Sequence, residues 1–415
     1  MSLTAPDRRR HLLLLIGALT TLSPLTTDLY LPAFPAMGHE LHTGQAAIQL
    51  TLTAFLIGTA AGQLVAGPLS DARGRIGPLR ASIALYVVLT VACAVSPNVA
   101  TLIALRILQG AIASCSVVVV RAVVRDLYEG VAVARSLSRL MMITGLVPIL
   151  APFFGGQLLR VTHWRGIFVV LAVVGLAELV AMTRWLPETL PVERRRSGGW
   201  GSARSAYRML LRDRHFLAAA LTCSFAFAAL LVYISVASFV FEHGYGVSAQ
   251  EFGVIFGVNA LFMVGASQIN VRIVDRFAPR PLVLSALTAM SCGGVGLLVV
   301  ALTRAGGVVG LMIPLSVMLF ALSFIITNTT GLALADHPEV AGTASALVGC
   351  LQFVVGGVLA PVTGLWSEGS AIAMGTMMLG STVVALVAFV FIGQLPCSLR
   401  VGPEDLLPAE AFVAG

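Results

Sequence analysis

Charged side chains make up only 11% of this 415-residue chain, and lysine is absent altogether. With 58% hydrophobic residues and a mean hydropathy of +0.94, the composition excludes a water-soluble globule, which has nowhere to put so much apolar surface. Cysteine is also scarce. Of the six, Cys93, Cys115, Cys223, Cys292 and Cys350 lie in apolar runs and no two have Cys-x-x-Cys spacing, so free buried thiols are expected rather than disulfides or a metal centre. The chain lacks a phosphate-binding loop, an ATPase motif and a His-Glu-x-x-His pair. Nucleotide-driven work by this chain alone is thereby excluded, and neither an enzymatic role, a cofactor nor a metal is expected. The seven histidines fall at or near predicted helix ends on both sides of the chain's apolar runs, too dispersed for a metal site.

What is present is about a dozen apolar runs, each near the roughly 20 residues that a helix needs to cross a bilayer. Helices satisfy their own backbone groups in lipid, so the reading is an all-α membrane protein with spans near 11–37, 44–69, 80–97, 100–122, 137–160, 166–186, 215–242, 249–272, 281–303, 308–333, 341–366 and 370–395. The first run follows three arginines, as in a signal peptide, but it is too long, lacks a small-residue cleavage pattern and contains Asp28. A formal charge of +7 could suggest nucleic acid or an anionic surface, yet its placement explains it better. All 26 basic residues are arginines; Arg106 lies inside a span, and Arg160, Arg165 and Arg304 alone fall on the side assigned as outer. That bias puts both termini in the cytoplasm of a bacterial plasma-membrane protein. Six spans precede and six follow an arginine-rich stretch, giving an N-terminal bundle 1–186, a cytoplasmic linker 187–214, a C-terminal bundle 215–399 and a flexible tail 400–415. Two such halves place a substrate site at their interface near the bilayer midplane. The expected partners are lipid, protons and a small molecule, without nucleic acid, and the chain is read as a monomer.

Three features ask for more than solubility. Between the second and third spans, Gly67-Pro68-Leu69-Ser70-Asp71-Ala72-Arg73-Gly74-Arg75-Ile76-Gly77-Pro78-Leu79 forms a short charged loop. Positive-inside anchoring accounts for Arg73 and Arg75 but not for Asp71 or the glycines Gly67 and Gly74. An acid flanked by arginines at helix ends can hold one side of the molecule closed. Asp28 lies well inside an apolar span, where an ionised carboxylate is costly and marks a pathway or a relay; solvation at the outer end of the helix is the plainer alternative. Arg106, in the fourth span, cannot discard its charge and needs a partner. Asp28 stands nine residues before Met37 and Arg106 six residues after Ala100, which at about 1.5 Å per residue puts both at a similar depth, roughly 13 and 9 Å below the outer surface. They can interact directly or through water if the first and fourth helices pack together. Otherwise Arg106 is structural, bonded to carbonyls of neighbouring helices.

The loop resembles the Gly-x-Leu-Ser/Ala-Asp-Arg-x-Gly-Arg-Arg sequence between helices 2 and 3 of the major facilitator superfamily, with Ala72 and Ile76 where the family usually places basic residues. The resemblance narrows with Asp28-Leu29-Tyr30-Leu31-Pro32-Ala33, Leu105-Arg106-Ile107-Leu108-Gln109 and Val124-Arg125-Asp126-Leu127-Tyr128. Together these are similar to the bicyclomycin/chloramphenicol-resistance (Bcr/CflA) exporters, which are drug:proton antiporters. The specific matches lie within residues 28–156. The resemblance implies the superfamily's fold of twelve helices in two bundles related by a pseudo-twofold axis, alternating access, antibiotic export powered by a proton gradient, and a role for Asp28 and Arg106 in proton coupling. It favours an amphenicol such as chloramphenicol or florfenicol, then bicyclomycin.

Gly145-Leu146-Val147-Pro148-Ile149-Leu150-Ala151-Pro152-Phe153-Phe154-Gly155-Gly156 looks like the glycine-proline motif of the superfamily's antiporters. Glycine lets helices approach and proline bends them, so the segment can be a pliable contact between halves or simply a kinked packing helix. Candidate cavity residues are Thr27, Asp28, Tyr30, Gln49, Arg106, Thr144, Tyr233, Asn328, Gln352 and Phe353. Glu178 is a rival proton carrier, although in this superfamily the third helix of each triplet tends to lie outside the cavity. Arg121, Arg125, Asp126, Arg135 and Arg139 read as a network at the cytoplasmic face. The rival functions are a proton-coupled metabolite carrier of the same fold and a non-transporting membrane sensor or scaffold.

Overall fold

The computed structural model describes residues 5–127, 146–148, 150–191, 207–274, 276–335, 340–366 and 369–392, together with positions 140, 195, 205 and 337. Its helices are α1 (Ala5–Asp28), α2 (Gln45–Arg73), α3 (Ile76–Ala94), α4 (Val99–Leu127), α5 (Leu146–Leu158), α6 (Trp164–Trp185), α7 (Arg214–Ser238), α8 (Ala249–Ile273), α9 (Pro279–Thr303), α10 (Gly307–Ala335), α11 (Ala341–Leu359) and α12 (Ala371–Val387). Ten of them are long and apolar enough to cross a membrane, and α5 is apolar but shorter over the described residues. No strand occurs among the described residues.

Two expected elements differ, for local reasons. The run 11–37 is not one helix: α1 stops at Asp28, a 3-10 turn covers Leu31–Ala33, and a short helix Phe34–Glu40 follows. Pro32 and Pro35 have no amide hydrogen for the carbonyls four residues back, and their rings crowd the preceding turn. Asp28 is therefore the last residue before a break, not a mid-helix residue. Conversely, most of the charged loop is helical, because α2 continues to Arg73 and α3 begins at Ile76. Gly74 makes the turn with φ +90°, a left-handed backbone that other residues resist. At the far end of α11, a 3-10 segment Ala360–Leu365 contains Pro361, and α7 ends in a π-helical turn Phe239–Gly244.

Within the first half α2 packs along α4, α3 packs on α6, and α1 lies against α4 and α6. In the second half α7 contacts α11 and α12, while α9 packs on α10 and α12 and α8 on α10. Across the halves α2 runs against α11, and both α7 and α8 touch the 3-10 turn that follows α1. The largest cluster of buried side chains spans both halves, from Tyr30, Phe34 and Phe55 to Tyr233, Phe239 and Phe256.

Candidate functional site

Arg106 is 0% exposed and is held by the first half alone. Its position follows from the close crossing of α2 and α4: one turn along α4, a Cβ at Gly110 would lie 2.0 Å from the Phe55 carbonyl oxygen, so the crossing demands glycine there. At this separation the Arg106 guanidinium carbon sits 4.4 Å from the Phe55 ring centroid, with Tyr30 at 4.5 Å and Phe168 at 5.9 Å. Its Nη1 donates to Gln109 Oε1 at 2.8 Å, and Nε and Nη2 donate to the backbone carbonyls of Thr51 and Thr26, each at 3.4 Å. Gln109 in turn donates to Thr90 Oγ1 at 2.7 Å. Three aromatic faces and three neutral oxygens thus stabilise the cation in place of an anion.

Asp28 is at the expected level, since Arg106 touches both Thr26 and Tyr30, but the two form no ion pair. The Asp28 carboxyl is 5% exposed and accepts a hydrogen bond from Thr27 Oγ1 at 3.1 Å. It stands at the C-terminal end of α1, where the helix dipole opposes a negative charge. The contacts of Arg106 to carbonyls are those of the structural alternative, and the depth relation is that of the coupling alternative; one geometry contains both.

The α5 segment joins this break to the other half. A Cβ at Gly155 would lie 2.0 Å from the Leu29 carbonyl oxygen, next to Asp28, whereas one at Gly156 would lie 2.6 Å from the carbonyl oxygen of Ala249 on α8. Gln250 Nε2 donates to the Gly156 carbonyl at 3.0 Å, and Pro152 is buried at the same contact, facing Gly253. Pro148 is half-buried on the preceding turn of α5. Gly145 and Thr144 lie outside the described residues.

Hydrogen bonds between the halves gather at the arginine-poor end. Gln49 is fully buried, donating to the Ser235 carbonyl at 3.3 Å and accepting from Thr363 Oγ1 at 3.2 Å. Gln45 Oε1 accepts from the Gly369 amide at 3.0 Å, and the rings of Phe34 and Phe239 meet beside them. Gln49 therefore occupies a seal between the halves. The other cavity candidates are dispersed. Tyr30 reaches Thr51 Oγ1 at 3.3 Å, and Tyr233 accepts from Asn259 at 3.1 Å while stacking on Phe256. Gln352 donates to Cys223 Sγ, and Phe353 packs edge-on against Phe227. Asn328 donates to Asn270 Oδ1 at 2.8 Å and lines a cavity of about 420 Å³ bounded only by α8, α9 and α10, remote in topology from Arg106.

At the arginine-rich end the ion pairs of Arg75 and of His337 do not bridge the two halves. Arg75 bonds Asp71, Asp126 and Ser70, and Asp213 pairs with His337. Arg75 thus gathers Asp71 and Asp126 in the absence of basic groups at Ala72 and Ile76. Arg73 is exposed, and Gly67 is half-buried on α2. Arg121 also has a partner, while Arg135 and Arg139 fall outside the described residues. Glu188 is a residue that the sequence motifs do not single out. Its carboxylate accepts from the amides of Arg75 at 2.8 Å and Ile76 at 3.2 Å, capping α3. Partial burial pushes its carboxyl upward, but the backbone N–H groups of Arg75, Leu190, Ile76 and Thr189 outweigh this and hold it below its ordinary value. An acid just past a helix end in an arginine-rich stretch was the available signal. The described residues contain no cluster suited to a metal ion.

Comparison with known proteins agrees with this architecture. The sequence model of the Major Facilitator Superfamily matches residues 16–361. The chain is 37% identical to an uncharacterised MFS-type transporter of Bacillus subtilis, YdgK, over 92% of this chain and 95% of that one. It is 28% identical to the bicyclomycin resistance protein homolog of Haemophilus influenzae, with the same coverage. The crystal structure of a bacterial homolog of the human lysosomal transporter Spinster, in an inward-facing and occupied conformation, has a TM-score of 0.71 at 16% identity, covering 92% of this chain and 96% of that one. The similarity to resistance proteins bears out the resemblance read from the motifs, and the fold match bears out an all-α membrane architecture. This chain is a multi-span membrane transporter, not an enzyme, and belongs to the major facilitator superfamily.

Proposed function

We propose that the protein exports small antibiotics across a bacterial plasma membrane in exchange for protons, by alternating access of two six-helix halves, 1–186 and 215–399, linked by 187–214, with both termini in the cytoplasm. The observation that carries the reading is a fully buried arginine with no anion bound to it, placed against the break that follows Asp28 at the end of α1. A neutral Asp28 fits this state, since an ionised one would draw Arg106 from its carbonyls. With the seal at Gln49 closed, the state faces the cytoplasm. Proton release there leaves Asp28 anionic and attracted to Arg106, which changes the joint after α1 and, through Gly155, the contact of α5 with α8. Drug then loads, the halves rock, and an external proton on Asp28 resets the carrier once drug has left. Bicyclomycin is supported by the relative's name and an amphenicol by the motif resemblance; the carrier is proposed to act as a monomer, with no cofactor beyond the gradient. Everted membrane vesicles should accumulate bicyclomycin or chloramphenicol on imposing a proton gradient. Asp28→Asn should abolish that response while leaving energy-independent exchange of drug, and full gradient-driven transport by the variant would refute the assignment.

A further inference from the structure

On α6, Glu178 is a buried carboxyl with no part in this scheme. It is 6% exposed, and its Oε2 has no hydrogen-bond partner among the described residues. The face of α6 that carries it packs on α3: one turn earlier, a Cβ at Gly175 would come within 3.0 Å of Tyr86 Cε1. Glu178 thus lies one helical turn along α6 from the point where α6 meets the Tyr86 ring. The Tyr86 hydroxyl is 2.6 Å from Thr26 Oγ1, whose own hydrogen goes to the Leu22 carbonyl at 2.6 Å, so Tyr86 is the donor between them. The Thr26 carbonyl then accepts from Arg106. Hydrogen bonds therefore connect Tyr86, beside the α6 face that carries Glu178, through Thr26 to Arg106, and Thr26 stands two residues before Asp28.

An ionised carboxylate without a partner inside a membrane protein is strongly disfavoured, so Glu178 holds its proton in this conformation. Of the titratable groups on α1 and α3, the helices packed against α6, Asp28 is bound to Thr27, Cys93 faces Gln109, and Tyr86 meets the α6 face that carries Glu178. Once Glu178 gives its proton to water, the carboxylate needs a donor. Tyr86 can supply it by turning its hydroxyl from Thr26, which loosens α1 immediately before Asp28.

We propose that Glu178 is a second proton-binding site, loaded and emptied in step with Asp28 through Tyr86 and Thr26, so that the carrier moves more than one proton per drug. The inference rests on the proton-coupled reading above, and its test separates the two. In liposomes holding the full chain, the proton-to-drug ratio is measured with bicyclomycin and with chloramphenicol; Glu178→Gln should lower it by one and Glu178→Asp should restore it. A wild-type protein moving drug without protons would defeat the coupling reading itself, whereas an unchanged ratio in Glu178→Gln beside a coupled wild type would overturn the second site alone. A drug-independent readout covers a variant that loses transport. In the acid-minus-alkaline infrared difference spectrum, a protonated-carboxyl band should vanish in Glu178→Gln and shift in Glu178→Asp, and a band indifferent to both substitutions would overturn the proposal.

Discussion

Gln49→Leu tests whether the seal between the halves sets the balance between closed and open states. The substitution keeps the side chain's volume, so packing changes little. It removes two hydrogen bonds across the interface, to the Ser235 carbonyl and from Thr363 Oγ1. Thr363 is not stranded, since it also donates to the Ala360 carbonyl. A neutral hydrogen bond contributes about 1 kcal/mol net, and these two are long, so the closed state should lose about 1–2 kcal/mol, a shift of roughly 5- to 30-fold toward the outward-open state. The reporter is Ser235→Cys in a background without other cysteines. Ser235 is fully buried behind Gln49 in the closed state, and its backbone carbonyl, not its side chain, makes the bond. Labelling from outside by a membrane-impermeant maleimide then tracks the open population. Adding Gln49→Leu should speed labelling by that factor. An unchanged rate would mean that the seal is not what keeps this side closed.

Three further outcomes are expected. Arg106→Lys keeps the charge but loses the flat stack on Phe55 and Tyr30, worth about 2 kcal/mol or more when desolvated, and gradient-driven export should fall several-fold or more with normal membrane insertion; wild-type export would show that charge alone suffices. Gly156→Ala puts a methyl group 2.6 Å from the Ala249 carbonyl oxygen, forcing α5 and α8 apart, so the same maleimide assay should again show faster labelling, and a slower rate would contradict the contact. Glu188 has a folded-state affinity for protons below its unfolded one, so it stabilises the fold above the ordinary carboxylate range and that contribution is lost as pH falls through the depressed value. Thermal unfolding in detergent should therefore show a smaller acid-induced drop in Tm for Glu188→Gln than for wild type, and parallel pH profiles would count against the cap.

The membrane-spanning helices were legible because apolar length is a property of whole segments. Asp28 and Arg106 do lie at a similar level, although the rise-per-residue reckoning assumed a helix unbroken to Met37, which the turn after Asp28 interrupts. The details that went astray depend on residues far apart in sequence or on single backbone bonds. The break after Asp28 follows from Pro32 and Pro35, prolines that a hydropathy window reads as apolar. The charged loop proved largely helical: α2 runs on to Arg73, and Arg75, beyond the Gly74 turn, reaches back to Asp71 in its last turn. The aromatic surroundings of Arg106 draw Phe55 and Phe168 from two other helices, and no spacing along the chain announces them. The assignment of Gln49 to the seal likewise needed its partners, which lie 186 and 314 residues away.

The bonds that close the arginine-poor end, at Gln45, Gln49, Gln250, Thr363 and Gly369, join neutral amides, a hydroxyl and carbonyls. Ions in the medium screen charge–charge attraction within about 10 Å at 0.1 M salt, but they leave neutral hydrogen bonds almost untouched. Neither does the membrane potential do work on groups without net charge as they separate. The closed seal is thus indifferent to salinity and to voltage, and osmotic or electrical stress on the cell can reach it only through the charged groups deeper in the first half.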